Sequence, residues 1–225
     1  MQDDSLSKLG GTCSTLLGVS YLGIAIAYIF LPAGNRVVGV GDAAQYYPAF
    51  LKNSTPAMLI YWATAIGGIF GIAAVQAISE TVRSASEGWV RWTSYMALFG
   101  FAVKALDSFR GLTLIRMRAV AWVTGDASTQ AAIGATRLTF DYHGWFTFGA
   151  VGLWAFVVSM LMLREGRRPK TLSYFGIAAA IAYWFTVAGF VFDSIMLLSI
   201  GIGLGGIALP VWYIWIGLIL QHAGS

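Results

Sequence analysis

The sequence is short of charge, cysteine and histidine, and each shortage excludes something. Asp, Glu, Lys and Arg make up 11% of its 225 residues, against about 25% in soluble globular domains. A water-soluble fold of this length would lack the polar surface to stay dissolved. The single cysteine, Cys13, forbids an intramolecular disulfide and leaves no thiol cluster for a metal centre. With two histidines, His143 and His222, there is no His-Glu-x-x-His pair for zinc. The Gly-rich phosphate loop ending in Lys-Ser/Thr and the Gly-x-Ser-x-Gly nucleophile turn are also missing, so no catalytic centre or metal site is evident. A net charge of +4 does not point to nucleic acid, because the basic residues are scattered singly between apolar runs, with one cluster at 164–170.

What is abundant is apolar. Hydrophobic residues make up 58% of the chain, with nine Trp, fourteen Phe and 27 Gly, and the mean hydropathy is +0.72. This is the composition of a helical membrane bundle whose helices meet at small residues and carry aromatic anchors at the interfaces. A spanning helix takes about 20 apolar residues to cross a core of about 30 Å. Windows of that length give an all-α integral membrane bundle of about six transmembrane helices, at residues 13–31, 57–79, 92–115, 143–163, 172–192 and 196–220, within one membrane domain.

The boundaries have chemical causes. Pro32 and Gly34 end the first span, and a polar connection with Asn35, Arg36, Asp42 and Lys52 follows. The run Asn53-Ser54-Thr55-Pro56 is a helix start. Trp89 and Trp92 beside Arg91 read as an interfacial belt. The segment 116–142 reads as a long outer connection, partly helical and able to lie on or dip into the membrane. Asp193-Ser194 leaves almost no loop, so the last two spans form a tight hairpin. The first span is too long for a cleaved signal peptide and reads as retained. Counting Lys and Arg on alternate sides gives seven with the termini (Lys8, Arg83, Arg91, Arg164, Arg167, Arg168, Lys170) and five opposite (Arg36, Lys52, Arg116, Arg118, Arg137). Both termini are therefore expected in the cytoplasm.

Three groups could carry function. Lys104, Asp107 and Arg110 interrupt the third span at spacings of three, which would put them near one helix face and let them pair. Charge inside a bilayer costs upward of about 2.5 kcal/mol per residue, so such groups are functional suspects. The plainer reading ends the span near Lys104 and places the charges at the interface. Asp141, His143 and Asp193 should share the outer side with Asp107, as a polar cluster for a cation, protons or a lipid head group. For Asp141 the competing role is capping a helix N-terminus. His143 and His222 fall on opposite faces, which excludes a bis-His haem. The sixth span has no lysine, which excludes a rhodopsin-type Schiff base. Finally Trp184, Phe185, Trp212, Tyr213 and Trp215 crowd the last hairpin, either as packing and belt residues or as walls for a lipid or other flat apolar ligand. Gly67-x-x-x-Gly71 could admit a partner helix.

The C-terminal residues carry a family resemblance. A basic, Pro-containing loop leads into Leu172-Ser173-Tyr174-Phe175-Gly176-Ile177-Ala178, and the last span reads Leu209-Pro210-Val211-Trp212-Tyr213-Ile214-Trp215-Ile216-Gly217-Leu218. This resembles the six-span bacterial membrane proteins grouped as domain of unknown function 4386. The likeness implies a bacterial inner membrane protein and no activity or functional residues. The expectation is an accessory or interaction subunit of a membrane complex, touching membrane lipids, apolar pigments or other membrane subunits. The alternative is a small transporter or channel using the charged third span.

Overall fold

In the computed structural model, residues 4–32, 43–136, 138–166 and 168–223 are described. Asn35, Arg36, Asp42, Arg137 and Arg167 lie outside them. The chain is helical throughout, with no strand among the described residues. The helices are α1 (Asp4–Ile29), α2 (Ala43–Lys52), α3 (Thr55–Glu80), α4 (Glu87–Thr124), α5 (Ala127–Ala135), α6 (Val151–Glu165), α7 (Lys170–Val191) and α8 (Ile195–Ala223).

Five of the long helices are apolar enough to cross a membrane: α1, α3, α6 with the turn before it, α7 and α8. The up-and-down course of the chain needs one more crossing between α3 and α6, and α4 supplies it. Each of these six packs on its predecessor and its successor, and α8 closes the ring against α1. The centre of the ring is filled by Leu17, Phe101, Trp154, Trp212 and Tyr213, all fully buried.

Ring closure depends on missing side chains. A Cβ on Gly18 would stand 2.5 Å from the Pro210 carbonyl oxygen, and one on Gly217 would stand 2.7 Å from that of Gly11. Backbone therefore meets backbone where α1 crosses α8. Ser14 adds a buried hydrogen bond, donating to the Tyr213 carbonyl at 2.7 Å.

The third span is longer than its hydropathy suggested. At 1.5 Å per residue the 38 residues of α4 reach about 57 Å, well beyond a core of about 30 Å. The expected end at 115 is overrun because Arg116 and Arg118 are good helix formers and no Gly or Pro intervenes before Gly125. The surplus length carries a second small core outside the ring, built from Leu31, Tyr47, Phe50, Ala57, Ile115 and Ala119. Arg118 ties it together, donating to the Tyr47 hydroxyl at 3.2 Å and to the carbonyls of Ile133 and Thr136 at 2.6 and 2.8 Å. Helix α5 starts at Asp126, whose carboxylate accepts the Thr129 N–H at 2.8 Å and is held below the usual carboxylate range by that bond. Thus 116–136 is helix, capped turn and short helix, with α5 folded back onto α4.

The fourth span opens with a π-helical turn, Trp145–Ala150. Gly144 stands in the left-handed region at φ 74° and its carbonyl accepts from both Phe148 and Gly149, at 3.0 and 2.9 Å. Such turns widen a helix by one residue and redirect its side chains. Here the redirected side chain is Phe148.

Candidate intramembrane ligand cavity

Trp89 and Trp92 lie edge to face at 5.6 Å, exposed beside Arg91 at the end of the bundle that holds both termini. If that belt marks one interface, Lys104 lies about 20 Å further along α4, inside the hydrocarbon. There the bundle has a cavity of about 530 Å³, within the range of about 300–1,000 Å³ typical of ligand sites. Tyr21, Ile24, Ala25 and Tyr28 of α1 form one wall. Gly203, Gly206, Ile207 and Pro210 of α8 form the facing one.

The cavity exists because α1 and α8 touch closely only in their halves nearest the termini. Beyond Pro210, a Cβ on Gly203 or Gly206 would meet nothing within 4 Å. Pro210 also has no N–H, so the Gly206 carbonyl on the cavity wall lacks its helical donor. Gly203 is exposed and its neighbour Leu204 is 62% exposed, so this wall borders the lipid.

Lys104 is the one charged residue among those lining the cavity. Its Nζ lies 4.6 Å from the ring centre of Phe148, 4.8 Å from that of Tyr21 and 5.6 Å from that of Tyr183. Three rings from three elements surround it, with no hydrogen bond or ion pair to any described residue. The ion pairs among the described residues, Arg83 with Glu80 and Glu87 and Arg91 with Glu87, are exposed at the other end of the bundle. Below the cage, the hydroxyls of Tyr21 and Tyr213 are buried without a hydrogen-bond partner. They lie close enough to Tyr183 to interact electrostatically with it.

The three α4 charges therefore part company. A spacing of three advances about 300°, so each step swings about 60° around the helix and Lys104 and Arg110 diverge by about 120°. Asp107 accepts the Phe140 N–H at 2.8 Å, and Arg110 lies over the Phe140 ring at 4.7 Å. Both bind down the loop that precedes the fourth span; only Lys104 faces the cavity. Asp141 is a cap, its Oδ2 accepting the N–H groups of Phe146 and Thr147 at 2.8 and 2.7 Å. His143 is exposed against Tyr142, with ring centres 5.0 Å apart. Asp193 is an exposed turn residue at φ 46° between α7 and α8. No group of three His, Cys, Asp or Glu stands together among the described residues.

Asp141→Ala would leave two N–H groups unpaired at the start of the π turn. It is expected to lower stability by about 1–2 kcal/mol, read as a lower thermal midpoint in mild detergent, while Asp141→Asn, which keeps an acceptor, loses less.

The proposed partner face is largely internal. Gly67 receives the Tyr21 ring and Gly71 the Phe101 ring, so the helices that the Gly67-x-x-x-Gly71 pair lets approach closely are α1 and α4 of this chain. Trp212 and Tyr213 are fully buried, whereas Trp184 and Trp215 remain 40% and 37% exposed. Tyr21, Phe148 and Tyr183 were not singled out by the sequence. The two tyrosines sit in mid-span, where a polar tip in an apolar helix is the available signal. Phe148 gives none, because its aim depends on the π turn.

No curated protein and no solved structure matches the chain. A family model does match it, over residues 16–217, which takes in four of the six long helices whole, most of α1 and α8, and every wall of the cavity. The chain is a multi-pass membrane protein and belongs to the family described as Domain of unknown function (DUF4386).

Proposed function

We propose that this protein is a non-catalytic membrane component that holds one lipid-class or apolar pigment molecule in the Lys104 cavity, as an accessory subunit whose lipid-facing surface meets partner helices. The observation that carries the reading is the cavity itself: largely apolar walls, a lipid-side border at Gly203, and a single charged anchor. Ligand sites combine these features, with mostly apolar lining and few placed polar groups. Transport through the α4 charges has less support. Asp107 is engaged with the backbone and Asp193 sits in an exposed turn.

The test is retention. Protein purified in mild detergent and examined by native mass spectrometry is expected to carry about one amphipathic molecule per chain, as a pre-formed cavity of this size would hold. Gly206→Trp, which fills open space without touching the core, is expected to lose it. Equal lipid content in the two proteins, or none in either, would refute the cavity as a ligand site.

A further inference from the structure

We propose that the occupant of this cavity bears a single negative charge on its head group, a carboxylate or a phosphodiester, paired with the Lys104 ammonium. The proposal rests on the reading that the cavity holds an amphiphile, and it adds what the cavity selects.

The argument is one of charge balance. An ammonium inside the hydrocarbon is costly unless something compensates it. The rings of Tyr21, Phe148 and Tyr183 lie within 4.6–5.6 Å of Nζ and offset part of that cost through their negative faces. Rings bring no counter-charge. Asp141 is the carboxylate whose field reaches Lys104, yet it lies beyond ion-pair distance, and its Oδ2 already accepts two backbone N–H groups. The remaining cavity-lining residues are all uncharged. One positive charge is therefore left open toward the space a ligand would fill.

The surrounding donors fit the same head group. Thr64 and Thr186 spend their hydroxyl protons on the carbonyls of Ile60 and Ala182. Tyr183 and Ser199 also line the cavity, and neither makes a hydrogen bond to any described residue. They remain to donate to a second oxygen of a carboxylate or phosphodiester. With one cation present, a monoanion is neutralised, while a dianion would bury excess negative charge.

The test uses the full chain in nonionic detergent, displacing a fluorescent fatty acid with palmitate, hexadecanol or lysophosphatidylglycerol. Palmitate is expected to bind roughly tenfold or more tightly than hexadecanol, the worth of one charge-assisted contact. Lys104→Met should bring palmitate down to the affinity of hexadecanol and leave hexadecanol unchanged. Lys104→Arg should keep most of the preference. Removing an unpaired buried charge is not expected to unfold the protein, and gel filtration checks this. Lysophosphatidylglycerol competing as well as palmitate assigns the anion to a lipid head group; weaker competition assigns it to a free fatty acid.

Equal binding of palmitate and hexadecanol, both lost in Gly206→Trp, would overturn the charge selection and leave the cavity reading standing. Binding unaffected by Gly206→Trp would overturn both. A covalent adduct on Lys104 that borohydride traps as a secondary amine would overturn the ion pair in favour of an imine to a carbonyl compound.

Discussion

Trp154→Ala is expected to destabilise the bundle by about 3 kcal/mol, the low end of the range for removing a buried aromatic side chain. Trp154 is fully buried and packs against Trp212 and Tyr213, with ring centres 6.0 and 6.4 Å away. Its Nε1 donates to Ser79 Oγ at 2.8 Å. That oxygen shares a 2.7 Å hydrogen bond with Ser94 Oγ, and Ser94 donates to the Val90 carbonyl at 2.6 Å. One side chain thus links α6, α3 and α4. The low end applies because separated helices remain in lipid, which removes most of the transfer term while the cavity and the lost contacts persist. Hydrogen bonds between membrane helices average about 0.6 kcal/mol, so Trp154→Phe should lose far less than Trp154→Ala. Denaturation in mixed detergent micelles measures both, and equal losses would show that the hydrogen bonds rather than the packing dominate.

Gly18→Leu is expected to cost more than about 3 kcal/mol, because the new Cβ meets backbone and cannot be accommodated by a rotamer change. Its neighbours would be the Pro210 carbonyl oxygen at 2.5 Å, Ile214 Cγ1 at 2.6 Å and the Ile214 nitrogen at 3.1 Å. The helices must separate, which opens the ring at its closing contact. Gly23, one and a half turns further along α1, has nothing within 4 Å of its Cβ position. Gly23→Leu should therefore be tolerated. Comparable yields of monodisperse protein from the two variants would count against the backbone-on-backbone contact.

Much of this architecture was legible in the sequence. The five apolar spans follow from hydropathy alone, and Pro56, Gly166 and the Asp193-Ser194 pair mark their ends through local chemistry. Asp141 as a cap was readable from its place before an apolar run. Two things were not. The length of α4 was hidden because charged residues lower hydropathy without breaking a helix, so a membrane criterion stops where the helix does not. The site was hidden because a cage is tertiary: Tyr21, Phe148 and Tyr183 are far apart in sequence, and Phe148 arrives only through a π turn. Spacing alone placed Lys104 with Asp107 and Arg110, whereas the helical rotation between them sends Lys104 to a different neighbourhood.

The closing contact of the ring also bears on biogenesis. Ser14 and Tyr213 are 199 residues apart in the chain, and α1 is completed by α8, the helix that lies furthest after it in sequence among the described residues. During translation α1 enters the bilayer before α3 and can pack on it, but its glycine-lined flank finds its intended neighbour only once α8 has been made. For that interval Gly11 and Gly18 offer a smooth, side-chain-free surface in the membrane, the kind of surface on which foreign helices dock. A ribosome stalled before α8 would leave that flank open, and an insertion chaperone or quality-control protease would have there a simple mark of an unfinished chain.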